Sequence, residues 1–372
     1  YLIYRSDTPL SGYVPIGKTE LNKYQDADPS LVNSRTYYYR ISAVDFAGNE
    51  SQMAQAEGMP IAPGPTPVSG AIEADTTWYS GASPYILASN VTVKDKATLT
   101  IEPGTEIQSK GGGLVIEGRI SARGDNERII RFDSAEDGQL WPGITFASVK
   151  DRDNRLAFVR VRNARTAVFC QASSPTIEQS EFTQNHEAIK IQGAFSKPLI
   201  RRNTLYKNKG AAISASDGAA PRIVENTIND NDHTGVVLSS AAAEITQNTI
   251  TRNKQNGIAV KGGESVISQN NLVDNQPYNL FGEMKGSPVK ALNNWWGSAA
   301  MAVVLSGIHG RVDVGSVLDA PFPQGKALAV PILDQKLEGA IRKDSYLILS
   351  HSPYRLWSDG RGCAIKSDRN PS

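Results

Sequence analysis

Between residues 175 and 294 the sequence lines up on itself every 22 or 23 residues, and no other feature narrows the possible folds as far. Ile177, Ile200, Ile223, Ile245, Ile267 and Val289 form one apolar column, separated by 23, 23, 22, 22 and 22 residues. Phe182, Leu205, Ile228, Ile250 and Leu272 form a second column, each five residues after the first. Two polar columns accompany them: Ser180, Asn203, Asn226, Asn248 and Asn270, then Asn185, Asn208, Asn231, Asn253 and Asn275. The enrichment is local, with 14 of the 23 Asn between positions 201 and 300. A unit with so few apolar positions cannot bury its own face and must stack on its neighbours.

The units lack a 3.6-residue apolar stripe and carry Asn-Thr, Asn-Asp and Asn-Gly turn signals, which disfavours a helical solenoid. Leucine-rich repeats are disfavoured by the absence of a Leu-x-Leu core. The pattern predicts an all-β parallel β-helix, in which residues one period apart lie about 4.8 Å above one another. Asn amides at its turns would pass hydrogen bonds from coil to coil, each contributing about 0.5–1.5 kcal/mol net. Such columns face inward, so the Asn excess reads as structural rather than as a set of sugar-binding donors. Leu156, Val161 and Ala167-Val168 extend the register upstream at a spacing of 21. The runs Val91–Val93, Leu99–Ile101, Leu114–Ile116, Ile129–Phe132 and Ile144–Phe146 supply less regular first coils. Residues 85–300 then make roughly nine or ten coils, a rod about 45 Å long.

The flanks follow different rules. Residues 1–57 hold aromatic and β-branched runs, YLIYRS at 1–6 and YYYRISAVD at 37–45, followed by GNES at 48–51. These strings resemble the second half of a fibronectin type III domain, which implies a partial β-sandwich and a truncated start. Residues 58–69 read as a Pro-rich linker. The strings LTIEPGTEI at 99–107, GLVIEGRISARG at 113–124, IIRF at 129–132 and WPGITF at 141–146 resemble the opening coils of bacterial right-handed parallel β-helix repeat proteins. NNWWG at 293–297 is similar to the motif that closes them. The resemblance spans 70–320 and implies a right-handed, pectin-lyase-like solenoid in a group that mixes carbohydrate-binding proteins, sugar hydrolases, lyases, epimerases and adhesins. Residues 321–338 read as a second linker. GAIRKDSYLILSHSPYRLWSD at 339–359 repeats the pattern of residues 70–90 at an offset of 269, so 339–372 reads as the truncated start of a second β-helix.

Composition excludes several classes. With 39 Lys plus Arg against 38 Asp plus Glu, the net charge of +1 provides no global field for nucleic acid or an acidic membrane. The uncharged stretch 59–72 contains four Pro and two Gly and cannot span a membrane. Cys170 and Cys363 are too few for a disulfide framework or a thiolate metal site, and no pattern indicates a cofactor.

Candidate chemistry lies in the charged columns. Asp230 stacks between Lys207 and Arg252, and Arg252 is followed by Asp274; Asp232 stacks between Lys209 and Lys254. This alternation reads as an exposed ion-pair ladder, or else as a mixed-charge sugar-binding or acid/base face. Asp230 and Asp274 would be about 9.6 Å apart, at the limit for an inverting carboxylate pair. A cation between them holds both ionised, whereas a general acid needs a raised pKa. Calcium at 229–232 is disfavoured by the adjacent Lys columns. His186, His233, His309 and His351 form no metal pattern and read as surface residues. Trp295 and Trp296 read as a plug over the last coil, with a sugar platform as the alternative, and Tyr206 and Tyr278 are expected to be exposed. The expected function is a non-catalytic carbohydrate-binding or adhesive module, extracellular, cell-surface or periplasmic, with a polysaccharide or surface glycan as partner. The alternatives are a polysaccharide lyase or glycoside hydrolase acting around Asp230, or a spacer.

Overall fold

The computed structural model describes residues 1–33, 35–147, 153–283 and 286–330; the expected second β-helix at 339–372, with His351 and Cys363, lies outside them. The chain divides into two compact units, one built on residues 1–66 and one on most of the remainder. In the first, β1 (Leu2–Ser6), β2 (Val14–Lys18), β3 (Tyr37–Ser42) and β4 (Ala54–Gly58) form a four-stranded antiparallel sheet in the order β2-β1-β3-β4. Where the sequence suggests part of a two-layer sandwich, the described strands of this unit make one sheet. Arg5 bridges Asp26 and Asp28 over it, and Tyr39 donates to Asp26.

The second unit is a parallel β-helix whose coils each visit three faces in turn. The first face is an eleven-stranded parallel sheet that includes Leu199–Arg201 and Arg222–Val224. The second face carries Thr204–Tyr206 and Thr227–Asn229, and the third Ile213–Ser216 and Val236–Ser239. Ile177, Ile200, Ile223, Ile245 and Ile267 pair in register on the first face, and Phe182, Leu205, Ile228, Ile250 and Leu272 on the second. All ten are fully buried, as are Ile189, Ile213, Val236, Ile258 and Leu280, paired in register on the third face, so the core is built of stacked apolar columns from all three faces. The upstream register also holds, with Leu156 opposite Ile177 and Val161 opposite Phe182.

The last coil departs from the expected period. Val266 faces Lys290, which places the buried Ala291, not the half-buried Val289, above Ile267. Two extra residues enter the turn there, and Asn270 passes its hydrogen bonds to Asn294, 24 residues on. Residues 321–330, expected as linker, fold back instead: Ala327–Ala329 pairs antiparallel with Ser316–Leu318, and Phe322 exchanges two hydrogen bonds with the Asn271 amide.

Each Asn of the two columns is buried and uses its whole amide. Asn226 Oδ1 accepts from both the backbone N–H and the Nδ2 of Asn203, while Asn226 Nδ2 donates to Ile200 O and to Asn248 Oδ1. Asn231 does the same between Asn208 and Asn253. The residue before each ladder Asn takes a left-handed backbone: Arg202, Glu225, Gln247 and Gln269 before one column, Lys207, Asp230, Arg252 and Asp274 before the other. That conformation costs an L-residue about 1–2 kcal/mol, which the fully used amide beside it offsets.

Replacing Asn248 by Leu strands the N–H and Nδ2 of Asn226 and the carbonyl of Ile223 in a dry interior. Each unmet group costs about 1–3 kcal/mol, so urea unfolding is expected to show a loss on the order of 3–5 kcal/mol. Adding Asn226→Leu should cost less than the sum of the single changes, because the two share partners. A melting curve unchanged by Asn248→Leu would show that the ladder does not hold the coils.

Candidate functional site

On the second face, strand alternation turns the apolar column inward and its neighbours outward. Along one outward column lie Arg160, Glu181, Thr204, Thr227, Thr249 and Asn271, paired coil by coil. A parallel column carries Arg162, Thr183, Tyr206, Asn229, Thr251 and Val273. The face is therefore charged at its upstream coils and hydroxyl- and amide-rich downstream.

A cleft of about 390 Å³ opens where the two characters meet, lined by Asn126, Gln179, Glu181, Arg202, Thr204 and Tyr206 among others. Arg160 donates to Glu181 through Nε at 3.0 Å and lies within 2.9 Å through Nη2, and the Tyr206 hydroxyl donates to Glu181 Oε1 at 2.8 Å. The hydrogen bond to Glu181, and then burial, raise the Tyr206 pKa, so the phenol stays protonated and acts as a donor. Glu181 is engaged on both oxygens. The site offers a phenol ring, guanidinium groups and hydroxyls, a set suited to holding a polar ligand, and it lacks an unengaged carboxylate positioned to move a proton.

Of the candidates named from sequence only Tyr206 lines this cleft, and the others do not form one constellation. Tyr206 is half-buried and hydrogen-bonded where exposure was expected. Lys207 does not pair with Asp230; its ammonium lies 5.8 Å from the centre of the Tyr206 ring. Arg252 forks onto Asp230 through Nε and Nη2, both at 2.8 Å, and holds its carboxyl below the usual carboxylate range. Asp274 is exposed and does not share this fork. Asp230 is thus ionised at neutral pH and unsuited to the role of general acid. Lys254 pairs with Asp232 at 2.7 Å on the solvent side. Trp296 is only 2% exposed, which removes it as a sugar platform, and the backbone of half-buried Trp295 bridges to Asn271 as the next coil. Glu181 and Arg160 were missed from sequence because the charged-column arithmetic followed the corner residues that precede each ladder Asn. Among the described residues no group of three His, Cys, Asp or Glu could hold a metal, and no helix is long and apolar enough to cross a membrane.

On the first face, Glu178 is an acidic group of another kind. Its side chain is 3% exposed and lies between Arg155 and Arg201, whose Nη2 is 2.6 Å away. Burial and the nearby Arg123 and Arg201 lower the Arg155 pKa. Removing Glu178 leaves two half-buried cations facing each other, so Glu178→Ala is expected to cost on the order of 3 kcal/mol in denaturant unfolding. Arg252→Ala, at a solvent-exposed pair, should cost far less. The Asp230–Arg252 contribution is present above the ordinary carboxylate pKa, near 4, and is lost as pH falls through the lowered folded value. Equal costs for the two variants at neutral pH would contradict this division.

No curated protein matches this sequence. Among solved structures, a point mutant of the periplasmic alginate epimerase AlgG is 14% identical with a TM-score of 0.43, the match covering 61% of this chain and 61% of that one. A double mutant of AlgG is 15% identical with a TM-score of 0.42, covering 65% and 73%. The chain thus spans under two thirds of the length of the first of these. Residues 142–295 match the family model described as a right handed beta helix region. With the three stacked parallel faces, this match identifies the solenoid as a right-handed parallel β-helix.

Proposed function

We propose that this chain is a non-catalytic carbohydrate-binding module of an extracellular, cell-surface or periplasmic protein, with the ligand held on the second face of the β-helix. The observation that carries this reading is the cleft around Tyr206. There an aromatic ring, two arginines and Thr204 surround a carboxylate already engaged by Arg160 and Tyr206. Sugars are recognised by such mixtures of flat apolar surface and oriented donors. Downstream, Thr204, Thr227, Thr249 and Asn271 repeat a polar group at each coil, about 4.8 Å apart, a spacing comparable to one sugar unit. The N-terminal sheet, with its YLIYRS and YYYRISAVD strands, is read as a fibronectin-III-like module carrying or presenting the solenoid. The fold itself accommodates many activities, so the site carries the proposal.

Titration calorimetry against acidic and neutral polysaccharides tests it. A ligand should be found whose affinity drops about tenfold, near 1.4 kcal/mol, in Tyr206→Ala. Release of reducing ends or unsaturated sugars, abolished by Asp230→Ala, would replace this reading with an enzymatic one. Blank binding across the panel would leave the module as a spacer.

A further inference from the structure

An insertion stands at the upstream end of the Tyr206 cleft. At the corner between the first and second faces, Phe158 alone separates Arg155–Ala157 from Val159–Arg162. Gln179-Ser180 and Arg202-Asn203 fill the same place in the next two coils. One coil earlier, Arg119–Arg123 and Ile130–Ser134 are separated by the six residues 124–129. The insertion leaves and rejoins the coil at adjoining points: the Gly124 N–H donates to Ala157 O at 2.9 Å and the Ile130 N–H to Phe158 O at 3.1 Å. Ile130 is fully buried and in register with Val159, so the added residues project outward and leave the core unbroken.

The projection is a braced ledge. Asp125 Oδ1 accepts the N–H groups of Glu127 and Arg128 at 3.1 and 2.7 Å, and Oδ2 accepts Nε and Nη2 of Arg128 at 3.1 and 2.8 Å. Arg128 O in turn accepts the Gly104 N–H of the coil before, at 2.9 Å. Asn126 and Ile129 of this ledge line the cleft. Beside it the second face rises as well. Upstream of Thr204 the same strand position carries Glu181, Arg160 and Arg131, with Arg160 folded onto Glu181 and Arg131 3.6 Å from Glu106. Downstream the column is short, through Thr204, Thr227 and Thr249.

We infer that the cleft reads the terminal unit of a polysaccharide chain, whose end enters against the ledge while the rest runs out downstream over the threonine column. The inference rests on the carbohydrate-binding reading of this face and deepens it. From the coil of Ile130 to that of Thr204 there are three strand spacings, about 14 Å, room for about three sugar units. A chain crossing at mid-length needs an open path at both ends, and here the ledge and the two arginines stand in one of them. A terminal unit needs a single exit. It also carries a free hydroxyl where an internal unit has a glycosidic oxygen with no hydrogen to give. The Asn126 and Gln179 amides line the cleft and offer such a hydroxyl both a donor and an acceptor. The carboxylates nearby are already engaged, Asp125 by Arg128 and Glu181 by Arg160 and Tyr206.

Polygalacturonate, polymannuronate, amylose and a soluble β-glucan are each titrated into the full chain at equal mass, intact and after partial hydrolysis to short oligomers. For the polysaccharide that binds, the sites saturated by a given mass should rise in proportion to the chain ends counted by a reducing-sugar assay, and the affinity should fall about tenfold in Tyr206→Ala. Borohydride reduction then locates the end: lost binding assigns the reducing end, retained binding the non-reducing end. Excising residues 125–128 should open the groove, so that intact and hydrolysed chains titrate alike by mass; the comparison on the unaltered chain decides the matter if that variant does not fold. Intact and hydrolysed chains binding equally by mass to the unaltered protein overturn end recognition and leave the second-face site standing. End-dependent binding that ignores Tyr206→Ala, or that survives in a folded chain lacking 125–128, overturns it too. Blank binding to all four polysaccharides removes the carbohydrate reading itself, and this inference with it.

Discussion

From Asn185 to Asn294 the solenoid depends on one side chain meeting four hydrogen-bonding demands at once. A ladder Asn receives two bonds on Oδ1 from the coil before it and gives two from Nδ2, one of them onward to the next Asn. Asp lacks the donors, Leu lacks both functions, and Gln carries the amide one methylene too far. The interior of a tight turn is therefore satisfied without water, which a buried backbone requires. The same bonds fix register. A coil shifted by one residue would break two columns of amides and also turn Ile223 and Ile228 away from the core.

That constraint divides the surface into positions with little freedom and positions with much. The residue before each ladder Asn is held left-handed, and because its side chain points to solvent almost any polar type is tolerated: Gln, Arg, Glu, Lys and Asp all occur there. The charges at these corners consequently pair where neighbours happen to reach, as Asp230 does with Arg252, and contribute little. The outward strand positions face no backbone demand. One face can then bury Glu178 between arginines, another can present Tyr206 beside Glu181, and the third can stack His309 against Tyr278 and Phe281. Fold and site are specified by different residues of the same strand, often adjacent ones, as Leu205 and Tyr206 illustrate.

This division also explains what could be read from the sequence. Inward columns repeat because stacking repeats, so Ile177 through Ile267 and both Asn columns were legible as spacing alone. The final coil was not. Counting 22 from Asn270 arrives at Leu292, whereas two added residues make Asn293 the left-handed residue and Asn294 the ladder member. Glu181 and Arg160 were illegible for a different reason: outward residues are under no obligation to repeat, and their contact spans a spacing of 21 outside the corner columns. The stacking of His309 on Phe281 was hidden by an insertion. Phe281 and His309 are register partners 28 residues apart because the short helix Met301–Ser306 is built into that coil.

The insertion bears on how the rod ends. A β-helix has exposed strand edges at both ends, and an uncovered edge invites pairing with another chain. Between Asn294 and residue 330 the chain adds one further, irregular coil through Ile308–His309 and Val312–Asp313 and gives the remaining residues to cover. Trp296 is buried, Met301 and Val304 turn inward from the short helix, and Ala327–Ala329 pairs antiparallel with Ser316–Leu318. The fold-back segment also lies against the second face, where the Asn271 amide is taken up by the backbone of Phe322. The polar column from Thr204 to Thr249 is therefore bounded at its downstream end by the protein's own chain and continues upstream toward Glu181 and Arg160. Under the proposed function, the open polar surface of that face runs from Thr249 upstream to the Tyr206 cleft, so a ligand there would engage the cleft rather than the corner charges around Asp230.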